Sequence, residues 1–114
     1  MATSQDLVKK KCIPCEGGTP PMTREEVEKY LPEVPGWKFS EDVKSISRKF
    51  TFQNFKEAIR FVNLVADIAE EEDHHPDILI NYKRVTFTLT THAIGGLSEN
   101  DFIMAAKIDT LQSP

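Results

Sequence analysis

The sequence predicts an α+β two-layer sandwich, a four-stranded antiparallel sheet with helices on one face. Three observations carry that expectation. Segments with helical spacing of apolar residues and segments of period 2 follow one another as α-β-β-α-β-β-α. The strands come in adjacent pairs, with short turns at Glu41-Asp42 and Tyr82-Lys83. At 114 residues the chain makes one domain with a modest core.

Residues 1–22 read as an irregular N-terminal arm, and residues 23–114 as the domain. The arm holds Cys12-Ile13-Pro14-Cys15, Gly17-Gly18 and Pro20-Pro21, and that density of proline and glycine forbids a long element. Cys12 and Cys15 have the C-x-x-C spacing of a zinc half-site or redox pair. Yet no second cysteine pair completes a zinc site and no strand precedes the motif, so they read as ordinary thiols on a surface arm.

Thr23-Arg24-Glu25-Glu26 is a capping box, and its helix stops at Pro32. Trp37-Lys38-Phe39 is a first strand, with Trp37 read as core. Val43 to Phe52 is a second, with Ile46, Phe50 and Phe52 on one face. Asn54 caps the main helix, with Glu57 at its third position. There Phe55, Ile59, Val62, Ala66 and Ala69 recur at helical spacing, and Ala58, Phe61, Val65 and Ile68 widen the stripe. Glu70-Glu71-Glu72-Asp73 closes that helix against its macrodipole. Such a run is solvated, or one of its acids serves the histidines that follow. The last helix starts at Leu97-Ser98-Glu99-Asn100-Asp101-Phe102, with Ser98 as cap and Asp101 at the third helical position.

Composition excludes several functions. Net charge is −4, which argues against a nucleic-acid phosphate footprint. No apolar run approaches the ~20 residues that span a bilayer, and Met1 to Lys11 is too polar for a secretory signal. Two cysteines are no disulfide framework. The expectation is a soluble, cytoplasmic protein.

All 3 histidines, His74, His75 and His92, lie within 19 residues of one another. Imidazole exchanges protons near neutral pH, so the cluster points to acid/base chemistry or a metal. A two-residue loop at Tyr82-Lys83 sets Ile80 opposite Val85, Ile78 opposite Phe87 and Pro76 opposite Leu89, all apolar on one face. Continued outward, this ladder sets Asp73 opposite His92 and brings His92 beside the His74-His75 pair. A metal site of three histidines and an acid is the weaker reading, because neighbouring side chains in an extended segment diverge.

Glu70, His74-His75-Pro76, Tyr82, His92 and Asp101, at these spacings, resemble the signature of the pterin-4a-carbinolamine dehydratases. The resemblance covers roughly residues 20–112 and is specific as motifs go. It implies the sandwich above, assembled as a homodimer or homotetramer. It implies removal of water from a 4a-hydroxytetrahydropterin to give quinonoid dihydropterin, without metal or cofactor, in tetrahydropterin recycling for aromatic amino acid hydroxylases. It implies His74 and His92 as acids for the two epimers and His75 as a proton carrier that also holds the pterin. Glu70, Asp73 and Thr91 are the further substrate contacts expected. Pro76 is a positioning residue, since it forces His75 to be extended. Asp101 is a supporting one, whose capping role stands beside any catalytic role, and Tyr82 packs at the hairpin tip. The arm resembles the leader of many microbial members and is absent from animal ones. Animal members also serve as dimerisation cofactors of a homeodomain transcription factor, so an oligomeric scaffold without catalysis is the alternative.

Overall fold

A computed structural model describes residues 4–13 and 19–111. The elements are α1 (Ser4–Lys9), α2 (Arg24–Tyr30), β1 (Lys38–Phe39), β2 (Ile46–Thr51), α3 (Phe55–Glu72), β3 (Asp77–Asn81), β4 (Arg84–Leu89) and α4 (Glu99–Leu111). Short 3₁₀ turns lie at Leu31–Glu33 and His92–Ile94. The strands make one antiparallel sheet in the order β1-β2-β4-β3. The result is the α+β sandwich that the sequence predicts.

Local signals set most element starts. Thr23 and Glu26 form the reciprocal capping box of α2, and the Asn54 side chain accepts from the Glu57 N–H to start α3. β2 begins at Ile46 rather than Val43, because residues 40–45 are a turn fixed by side-chain oxygens. Ser40 Oγ accepts from the Lys44 and Ser45 N–H groups, each at 3.2 Å, and Val43 has a left-handed φ of 58°.

The core lies between the sheet and α3 and α4. Ile46 and Phe50 of β2 and Val85, Phe87 and Leu89 of β4 are buried on one sheet face. Arg48 shares that face. Its guanidinium lies 4.4 Å from the Phe50 ring centroid and pairs with Asp109 at 2.8 Å, and Asp109 also accepts from the indole of buried Trp37. The buried stripe of α3 is Ala58, Phe61, Val65, Ala69 and Glu72, whereas Phe55 at the head of the expected stripe is exposed. α4 is buried almost all round, from Asn100 to Ala106 and at Ile108.

Helix α1 corrects the expectation of an irregular arm over residues 1–22. Every proline and glycine of that segment follows Ile13, so the preceding residues can form a short helix. Leu7 is its fully buried anchor, and α1 packs along α4. Beyond α1 the chain is pinned to the domain. The Cys12 N–H donates to Glu72 Oε1 at 2.8 Å, and the Ile13 N–H donates to Asn100 Oδ1 at 3.0 Å. Cys15 lies outside the described residues.

Glu72 thus closes α3, holds the arm and pairs with Lys107 at 3.0 Å. Burial pushes its carboxyl up, but the Cys12 N–H and the Lys107 ammonium outweigh burial and hold it below the glutamate value of 4.5. The stabilisation is therefore complete above pH 4.5 and is lost as the pH falls below it. Glu72→Gln should lower unfolding free energy at pH 7 by about 1–3 kcal/mol. It should also remove part of the acid lability that denaturant melts of the wild-type chain show below that pH.

Candidate active site

The hairpin has the expected register over its length. Ile80 is opposite Val85 and Ile78 opposite Phe87, and the pairing ends at Asp77 and Thr88. The outward continuation to Pro76–Leu89 and Asp73–His92 is absent from the ladder. Pro76 has no N–H to donate. On the other strand the chain turns away: the Thr90 hydroxyl donates to the Lys44 carbonyl at 2.5 Å, and Thr91 bridges to Gly96. His92 therefore starts a 3₁₀ turn instead of ending a strand. Tyr82, expected to pack, is exposed at the hairpin tip with φ 55°.

Two devices aim the His pair. Asp73 takes the left-handed conformation at the end of α3, φ 51° and ψ 42°, and the N–H groups of Asp73 and His74 both reach the Ala69 carbonyl. Glycine usually holds this position. The turn swings the chain off the helix, and Pro76 then biases His75 toward the extended state.

His74 is the most firmly held of the three rings. Its Nε2 lies 2.7 Å from Asp101 Oδ1, and Asp101 is fully buried. Oδ2 of the same carboxylate accepts from the Ser98 N–H at 3.0 Å and the Thr91 hydroxyl at 2.8 Å. The hydrogen of Thr91 goes to Asp101, so the contact of 2.8 Å between Thr91 and Ser98 has Ser98 as donor. Ser98 Oγ also accepts from the Asn100 N–H at 3.2 Å, so Ser98 and Asp101 cap α4 reciprocally, as the sequence predicts. An ionised carboxylate can only accept. Toward an ionised Asp101, His74 Nε2 is the donor of this contact.

His75 Nε2 pairs with Glu70 Oε2 at 2.5 Å, but both side chains are more than half exposed, which makes the pair weak. The exposed ring of His92 bonds no side chain among the described residues. All three histidines line one cavity of ≈ 480 Å³, together with Asp73 and Thr91. That volume suits a small planar ligand. Thr91 has its hydroxyl bonded to Ser98 and Asp101. Pro76 and Glu70 stand beside the lining residues in sequence. Among the described residues no three or more His, Cys, Asp or Glu side chains converge as metal donors.

A larger hollow, ≈ 660 Å³, lies among α1, the Leu31–Glu33 turn and the end of α4. It has no histidine. Glu33 and Asp109 both line it; Asp109 is committed to Trp37 and Arg48, and burial raises its pKa despite both partners. The smaller cavity is the one that gathers the three histidines. Sequence reasoning missed Cys12, Ile13, Glu72 and Asn100 as parts of its wall. Cys12 meets Glu72 and Asn100 across 60 and 88 residues of sequence, and no local spacing signals those contacts.

The family described as pterin 4 alpha carbinolamine dehydratase matches residues 20–111. A relative in Halorhodospira halophila that carries the pterin-4-alpha-carbinolamine dehydratase name is 50% identical over 105 residues, 92% of this chain and 96% of the relative. One in Nitrosospira multiformis with the same name is 50% identical over 109 residues, 96% of this chain and 95% of that one. The crystal structure of a transcriptional coactivator/pterin dehydratase from Brucella melitensis superposes with a TM-score of 0.78 at 34% identity, over 82% of this chain and 99% of that one.

Asp101→Asn should put an amide donor or a single oxygen where two acceptor oxygens now serve. We expect a loss of about 1–3 kcal/mol in stability and a change in the protonated nitrogen of His74, read from imidazole ¹⁵N shifts. Asp73→Gly should remove left-handed strain and raise stability by about 1 kcal/mol. If Asp73 also contacts substrate, that variant will gain stability and lose affinity.

Proposed function

The chain belongs to the pterin 4 alpha carbinolamine dehydratase family, and from that premise we propose that it dehydrates a 4a-hydroxytetrahydropterin to quinonoid dihydropterin by histidine acid/base catalysis. The observation that carries the reading is the sharing of one cavity by His74, His75 and His92, with His74 held through Asp101.

The reaction is balanced by proton movements alone. The C4a–O bond breaks as a histidine protonates the departing hydroxyl. N5 gives up its proton to another histidine or to water, its electron pair forms the C4a=N5 bond, and one water leaves. Positioned proton transfer of this kind contributes roughly 10²–10⁴-fold. Hydroxyl can leave from either face of the ring, because the carbinolamine exists as two epimers. His74 and His92 reach the cavity from different segments, the end of α3 and the end of β4, and in this reading each serves one face. His75 and Glu70 hold the pterin and pass protons at the rim, and Asp73 adds an acidic contact.

In this reading the protein is cytoplasmic and regenerates tetrahydropterin after aromatic amino acid hydroxylation. It works as a homodimer or homotetramer. Support for assembly comes from apolar groups left in water: Ile78, Leu79 and Ile80 on β3, which pairs only with β4, and Phe55 and Leu64 on α3. Among the described residues no helix is long and apolar enough to cross a membrane.

The test is carbinolamine turnover by the purified chain with and without chelator. We expect acceleration that chelator leaves intact. We expect His74→Ala and His92→Ala each to reduce kcat by about 10²–10⁴-fold without a change of mass in sedimentation. Acceleration abolished by chelator would overturn the metal-free mechanism. A wild-type chain with no activity would leave the scaffold role as the better reading.

A further inference from the structure

We infer that Cys12 and Ile13 form a working wall of the histidine cavity, and that Ile13 sets how tightly this chain grips the flat face of its ligand. The inference rests on reading the cavity as a pterin site. Residues 10–13 lie upstream of the span that the family matches.

The segment is built in rather than draped on the surface. The Asn100 side chain meets Ile13 twice: the Ile13 N–H donates to Oδ1 at 3.0 Å, and Nδ2 donates to the Ile13 carbonyl at 2.5 Å. A primary amide has both donor and acceptor groups, and here one of each goes to the backbone of a single residue. The Cys12 N–H is held by Glu72, and Lys10 Nζ reaches Glu99 Oε2 at 3.0 Å. Asn100 and Glu72 are both buried, and each takes part of its hydrogen bonding from this strap. Removal of the strap would cost both of them partners, with Lys107 left to Glu72.

The side chain of Ile13 does the opposite of its backbone. It is 69% exposed, and Ile13 lines the same cavity as the three histidines. An isolated exposed isoleucine is ordinary. This one differs because its backbone is fixed by a buried amide at the rim of a cavity whose other walls carry Glu71, Asp73 and three histidines. Those polar walls can read the edge of a bicyclic ring. Its face needs an apolar partner, and Ile13 is the large aliphatic side chain among the lining residues. As a β-branched residue on a pinned backbone it has little rotamer freedom to lose when a ring covers it.

The experiment compares the wild-type chain with Ile13→Ala and Ile13→Leu by equilibrium binding of a 7,8-dihydropterin, which carries no 4a-hydroxyl and cannot be dehydrated. Melting temperature and kcat for the carbinolamine are measured alongside. We expect Ile13→Ala to weaken binding about tenfold, with kcat within about twofold and an unchanged melting temperature. Ile13→Leu should restore affinity to within about threefold. Equal affinity for Ile13→Ala and the wild-type chain overturns the wall, as does a fall in kcat without a fall in affinity. Binding without turnover in the wild-type chain overturns the dehydratase reading, and the wall is then decided by affinities alone. A wild-type chain that binds no dihydropterin overturns both.

Discussion

The buried carboxylate of Asp101 is the constraint on which the site depends. It has no exposure to water and three groups converge on it: the Ser98 N–H at the start of α4, the Thr91 hydroxyl beyond β4, and the His74 ring beyond α3. A buried charge is tolerated only when it is well hydrogen-bonded. Folding must therefore bring all three segments to one point. The arrangement also makes the geometry of the cavity and the fold hard to separate, since the cap of the last helix is the partner of an imidazole.

The acids at the end of α3 show how a run of like charge becomes four distinct functions. Glu70 pairs with His75, Glu71 lines the cavity, Glu72 holds the arm and Lys107, and Asp73 makes the left-handed exit. Each opposes the helix macrodipole by a few tenths of a kcal/mol, an amount that one buried hydrogen bond exceeds. At Glu72 the two partners outweigh burial.

Local chemistry in the sequence was enough for much of this. The capping boxes at Thr23 and Ser98, the cap at Asn54 and the hairpin pairs Ile80–Val85 and Ile78–Phe87 all rest on residues near one another, and all appear in the structure. Two kinds of feature were hidden. One was the end of the hairpin: the ladder extends in the mind past Pro76, but backbone donors run out there and Thr90 bonds elsewhere. The other was long-range pairing. Arg48 interrupts an apolar face and finds Asp109, and Glu72 and Asn100 find the backbone of the arm. Nothing in a local period reports a partner 60 residues away. The three histidines were legible as a cluster; that Asp101 orients one of them required the fold.

The walls of the histidine cavity come from four stretches far apart in the chain: the arm, the end of α3, the segment after β4 and the start of α4. No contiguous fragment holds more than part of it. The cavity should thus be among the last features to assemble, because each separate loop closure must be complete first. A ligand that occupies it can recognise only the finished molecule, and so draws the folding equilibrium toward the native state by mass action. Ligand-dependent protection from unfolding is in this protein a report on the whole chain at once.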